Sequence, residues 1–255
     1  MPATQQDKNP AGQTIYFTEK DHKYEDAWGR DYTSITTLIH QYFPIFDLES
    51  NAARVAAKEN TTPDVIKARW KQSGDRASEY GTRAHEMAEW AMKNDERRHT
   101  PRDERESLVF SSVLNVVKQL QAKYQLVAVE KIVFSERVRI AGTIDLLMSD
   151  GLKLIIFDYK TNAKIRRKNN WGKAGLKPIG HLPDCEFSHY ALQLSMAEKI
   201  MRLDDYIEND VLVDRHLIHV QHDGRIEMIA TPDMTSEVTS IMLYNATKGF
   251  DEVPF

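Results

Sequence analysis

Asp145 and Asp158 flank a tight turn signal, Ser149-Asp150-Gly151, inside the run AGTIDLLMSDGLKLIIFDYKTN at residues 141–162. Asp145 stands five residues before Asp150 and Asp158 eight after it, so on two strands joined at that turn the carboxylates approach across the ladder. Asp158 and Lys160 are two apart and share a strand face. Two carboxylates and an ammonium thus converge at one edge of an otherwise apolar sheet. Charges in such surroundings are paired with each other or bind a metal. An Asp-x-Lys step by itself reads as a structural pair; the rest of the chain decides between the two.

The elements that must position these groups follow from periodicity. Residues 1–14 are polar and read as a disordered tail, followed by strand-like segments from Tyr16 to Ser34 with a turn at Gly29. Ser34, Thr36 and Thr37 are candidate caps for a helix near Leu38. Apolar residues recur at helical spacing from 49 to 95, with breaks expected at Thr61-Thr62-Pro63 and Ser73-Gly74. Residues 93–106 carry charges of mixed sign and read as a solvated connector. A long amphipathic helix over 108–124 precedes three β-rich runs, 126–134, 138–148 and 152–158, predicted as an antiparallel meander. A helix over 189–201, a strand pair over 211–220 and 225–231, and a helix over 235–247 complete the pattern. The order predicts an α/β fold with a mixed central sheet.

The chain has 255 residues, 34 basic and 38 acidic, with 41% hydrophobic composition, which fits a globular unit and excludes a disordered polyelectrolyte or a membrane protein. The net charge is −4, so any attraction to phosphates must come from a local patch. Residues 162–183 supply one: Lys164, Arg166, Arg167, Lys168, Lys173 and Lys177 with no acidic residue, and Trp171 among them. The single cysteine, Cys185, excludes an intrachain disulfide, a four-thiolate iron-sulfur cluster and a Cys-rich zinc site. His181, Asp184, Cys185 and His189 match no standard zinc spacing. With no apolar h-region near the first residues, a cytoplasmic setting is expected.

Gly142-Thr143-Ile144-Asp145 followed by Asp158-Tyr159-Lys160-Thr161 resembles the core of the PD-(D/E)xK nucleases, in their RecB-like exonuclease branch. Three further pieces come in that branch's order: Gly81-Thr82-Arg83-Ala84-His85-Glu86, then Glu130, then Tyr190-Ala191-Leu192-Gln193-Leu194. The resemblance spans roughly residues 15 to 200, includes Trp70, and is closest to phage and mitochondrial-type single-strand exonucleases. Ile144 stands in place of the family's proline, Asp158 where many members have Glu, and Ala197 where Gln-x-x-x-Tyr ends.

The resemblance implies a restriction-endonuclease-like core over about 126–255, a helical region over about 35–125 and a basic insertion over 162–188, all within one nuclease domain, 15–255. It implies one or two Mg²⁺ or Mn²⁺ ions, and Asp145, Asp158 and the Tyr159 carbonyl offer the oxygen donors such ions prefer. His85 completes a second metal position. Lys160 then stands beside the attacking water, Glu130 holds a metal water, and Gln193 holds the lysine, the water or a phosphate. Arg83, Thr161, Lys164, Arg166, Arg167, Lys168, Trp171 and Tyr190 are expected along the DNA strand. The expected activity is that of a metal-dependent DNA exonuclease on single strands or overhangs in a bacterial or phage-infected cell. A structure-specific endonuclease, a silent nucleic-acid-binding module and an adaptor are the rivals.

Overall fold

The computed structural model describes residues 4–247; residues 1–3 of the expected tail and 248–255 of the expected domain lie outside them. Four short strands come first, β1 (Thr4–Lys8), β2 (Thr14–Thr18), β3 (Lys23–Asp26) and β4 (Asp31–Ser34). The helices α1 (Ile35–His40), α2 (Leu48–Glu59), α3 (Pro63–Met92) and α4 (Glu104–Lys123) follow. Next are β5 (Gln125–Ser135), β6 (Ile140–Ser149), β7 (Lys153–Lys160), α5 (Glu186–Leu203), β8 (Leu212–Val220), β9 (Ile226–Ala230) and α6 (Thr235–Thr247). Side-chain oxygens of Ser34, Asp47, Thr62 and Asp103 accept amide protons at the starts of α1 to α4, which satisfies donors that a helix leaves orphaned.

The strands form one mixed sheet in which β5–β6–β7 is the expected antiparallel meander. Two parallel pairings were not legible in the sequence: β7 with β8, and β4 with the start of β6. α1, α5 and α6 cover one face through Leu38, Leu192 and Ile241. α3 and α4 cover the other through Met87 and Val113. With both faces buried, β7 has no polar alternation to display.

The expected tail is corrected. Residues 4–8 form β1, which pairs with β2 in a hairpin closed by the Asn9 to Gln13 turn. Polar side chains suit an edge strand, so β1 lacks an apolar signature, and Asp7 anchors it through Lys131 at 2.6 Å. The expected break at Ser73-Gly74 is also absent, because α3 runs unbroken for 30 residues. A mid-helix glycine costs only about 1 kcal/mol, and here Lys71 and Asp75 pair across it at 2.7 Å.

β5 takes one edge of β6 along its length, so β4 and β7 must share the other. β4 holds residues 140–141 and β7 holds 146–149; the edge at 142–145 is left open between them. Gly142 is required beside this gap, since a Cβ there would collide with the Ile35 side chain, whose Cγ1 would lie 2.9 Å away. Gly142→Ala is expected to lower stability in urea by about 1–3 kcal/mol, the usual cost of overpacking.

Candidate active site

The gap in the sheet decides where the carboxylates go. The β6–β7 ladder ends at Leu146 opposite Phe157, one step before Asp145 would face Asp158. Freed from the ladder, the Tyr159 amide donates instead to Asp145 Oδ2 at 2.8 Å. Residues two apart on a strand share a face, yet Ile144 packs in one core and Leu146 in the other, so β6 twists at Asp145. Across the ladder Glu130 matches this irregularity with φ of 50°, a conformation rare outside glycine.

His85, from the C-terminal third of α3, enters the gap. Its Nδ1 lies 3.3 Å from Asp145 Oδ2 and its Nε2 3.0 Å from the Tyr159 carbonyl oxygen. His85, Glu130 and Asp145 bring their ligand atoms within 4.8 Å of one another. Two carboxylates and an imidazole, with a backbone carbonyl beside them, are donors that fit a divalent cation. Burial, then the charge of Asp145, pushes the Glu130 carboxyl up to about 9; such crowding is what a bound cation relieves.

Asp158 stands beside this trio. Its Oδ2 is 2.5 Å from Lys160 Nζ but makes no well-formed hydrogen bond, while Oδ1 accepts from Gln193 Nε2 at 3.3 Å. Burial raises the Asp158 pKa to about 6 against the opposing charge of Lys160. For Lys160, burial alone would lower the pKa, but Asp158 and Asp145 more than offset it and keep the ammonium above its ordinary value. Lys160 also lies 4.6 Å over the Tyr190 ring, a cation–π contact that fixes its direction. The site therefore sets a fixed positive charge beside a cation-attracting group.

These residues open into a cleft of about 760 Å³. α3 lines it with Gly81, His85 and Glu89, β6 with Gly142 to Asp145, and α5 with Gln193. The β1–β3 hairpins supply a further wall through Phe17, His22 and Tyr24. Sequence reasoning missed this wall, because the aromatics lie over a hundred residues from Asp145 and long-range ties bring them to it: the β4–β6 pairing, the Asp7–Lys131 ion pair and the Tyr24–Thr143 hydrogen bond.

Several expected contacts fall elsewhere. Arg83 does not face the cleft: its Nε donates to buried Glu106 at 2.9 Å and its Nη2 to the Thr100 carbonyl at 2.8 Å. Glu106 belongs to the segment that reads as a solvated connector, and it is 1% exposed. The missed signal is Asp103-x-x-Glu106, a capping-box spacing; Asp103 accepts the Glu106 amide at 2.8 Å. Lys164, Arg166, Arg167 and Lys168 are exposed beside the cleft's α5 side without lining it. Arg166 pairs with Glu186 at 3.0 Å, Arg167 lies 4.1 Å over Phe187, and Trp171 is 80% exposed. Thr161 sits between the two regions, with Oγ1 3.3 Å from where a Gly81 Cβ would stand. Trp70 packs in the small α2–α3 core instead. Of the poor zinc candidates, His189 pairs with Asp184 while His181 turns to Glu237, and the four form no metal-ligating group among the described residues.

A mixed sheet split at one edge, with acidic residues and a lysine at the split, defines a nuclease class of fold. The family model for the PD-(D/E)XK nuclease superfamily matches residues 37–176, and the chain belongs to that superfamily. No curated protein matches the chain. Among the described residues no helix is long and apolar enough to cross a membrane.

Proposed function

We propose that the protein is a metal-dependent DNA exonuclease of the RecB-like branch, hydrolysing phosphodiester bonds from single-stranded ends or overhangs. The observation that carries this is the placement of Asp145, His85 and Glu130 within 4.8 Å of one another, in one cleft with Lys160. A divalent cation held there supplies charge neutralisation at the phosphate and a lowered pKa for water. Water attacks phosphorus in line and gives up a proton to solvent, the bond to the leaving sugar oxygen breaks, and that oxygen takes a proton back from solvent, so that none is gained or lost overall. Lys160, held charged by Asp158, stabilises the negative charge gathering on the phosphoryl oxygens. Gln193 keeps Asp158 turned toward the lysine.

Support for a single-stranded substrate comes from the exposed run at 164–168 and from Trp171, a combination of cations and a stacking ring. Arg166 is already paired with Glu186, so Lys164, Arg167 and Lys168 carry the phosphate contacts. Replacing those three with Ala is expected to make log K against log salt shallower by up to about 0.7 per contact. Trp171→Ala should weaken binding and leave the slope in place, because stacking releases no counterions. An unchanged slope and affinity in both variants places the strand elsewhere.

His85→Ala is expected to weaken Mn²⁺ binding, read calorimetrically, by at least about 10-fold, the loss that even outer partners of metal ligands produce. An unchanged isotherm returns His85 to a packing role. End-labelled single-stranded, double-stranded and circular DNA, with RNA for comparison, tests the whole reading in Mg²⁺, Mn²⁺ or EDTA. Progressive loss from ends with circles intact is the expected result. Nicked circles make it an endonuclease, and retention without cutting makes it a binder.

A further inference from the structure

The wall formed by the first three strands has a chemistry of its own. Gln5, Phe17 and Tyr24 are direct partners across β1, β2 and β3, so their side chains form one row on one face of the sheet. Phe17 stacks on Tyr24 with ring centres 4.6 Å apart. His22 meets Phe17 edge-on, at 5.2 Å and 89°. All four residues line the cleft. His22 is exposed, and with φ of 48° it closes the single helical turn Glu19–Asp21, its amide donating to the Glu19 carbonyl, which fixes where the ring stands.

The row is tied to the reacting centre. The Tyr24 hydroxyl and Thr143 Oγ1 are 2.9 Å apart, and Thr143 lies two residues from Asp145, about 7 Å of strand. Lys160 is the one lysine or arginine among the lining residues, and the row's own strand ends beside Glu19. A phosphate has no counter-charge on this wall, whereas the flat, uncharged face of a base finds rings on two sides and an amide at the end of the row.

We infer that Phe17 and His22 form a stacking corner for one unpaired nucleobase next to the scissile phosphate, with the Gln5 amide facing the base edge. The inference rests on the nuclease reading and deepens it: a base can enter the corner only after leaving a duplex. The corner thereby selects substrates that are single-stranded at the point of cleavage.

A set of single-stranded oligonucleotides, each with one abasic position, tests this by fluorescence anisotropy with Mg²⁺ in the Lys160→Ala background, read within minutes because cleavage there is slowed by about 10²-fold or more. One abasic position is expected to weaken binding by about 5- to 150-fold, the range usual for a lost stacking ring. Phe17→Ala should weaken binding of the intact strand by a similar factor and abolish the response to that abasic position. Phe17→Trp should keep the response, which separates loss of stacking from loss of folding. His22→Asn, with a residue tolerant of the left-handed backbone, should reduce affinity in the same position-dependent way. If Phe17→Ala and His22→Asn bind as their background does, or stay equally sensitive to the abasic position, the corner holds no base. If that background binds no strand and the parent cuts none, the nuclease reading falls and this inference with it.

Discussion

Lys160→Ala is expected to lower the cleavage rate by about 10²-fold or more while the protein remains folded. The rate follows from position: the ammonium is held by Asp158 at 2.5 Å and by the Tyr190 ring at 4.6 Å, so its charge needs no reorganisation as the reaction proceeds. Removing one such preorganised stabiliser usually costs on the order of 10²–10³ in rate. The fold survives because Asp158, already raised to about 6 beside the lysine, takes up a proton at neutral pH once the lysine is gone. No buried charge is then left alone. Single-turnover cleavage of labelled DNA, with a thermal melt alongside, reads both halves. A rate above about a tenth of the parent's would assign Lys160 to a structural pair.

Glu106→Ala is expected to destabilise the protein by about 3–5 kcal/mol, the loss typical when a buried ion pair loses one partner. Glu106 receives Arg83 Nε at 2.9 Å, and from Arg102 Nη2 at 2.7 Å and the backbone amide at 2.7 Å. Its removal leaves the mostly buried Arg83 with the Thr100 carbonyl but without its carboxylate. Burial alone would raise the Glu106 pKa, but Arg102 and then Arg83 outweigh it and hold it down to about 2. The sign follows: a carboxylate with a depressed folded pKa binds fewer protons than in the unfolded chain. Its contribution is complete above about pH 4.5 and is lost as pH falls toward 2. Urea unfolding of the parent should therefore weaken over that window, and Glu106→Gln should flatten that part of the curve. Equal acid sensitivity in parent and Glu106→Gln would place the pH dependence in other carboxylates, such as Asp26, which Arg30 and Arg139 also hold below its ordinary range.

The local pattern of the chain determined the meander, the helix over 108–124 and the closeness of Asp145, Asp158 and Lys160, because a tight turn and strand pairing relate residues near in sequence, whereas the continuity of α3 through Ser73-Gly74 was not legible there. The five motifs in order sufficed for the superfamily. Tertiary structure alone decided the rest. Which carboxylates join His85 depended on where β6 twists and on the φ of Glu130, neither of which has a residue-type signature in a non-glycine strand. Arg83 could be placed on α3 by periodicity, but its partner depended on α4 packing alongside. The polar strand at residues 4–8 carried no apolar alternation, since an edge strand is stabilised by backbone pairing and a few anchors rather than by burial. The aromatic wall of the cleft depended on β4 pairing in parallel with β6, a contact over a hundred residues long in sequence that local chemistry does not encode.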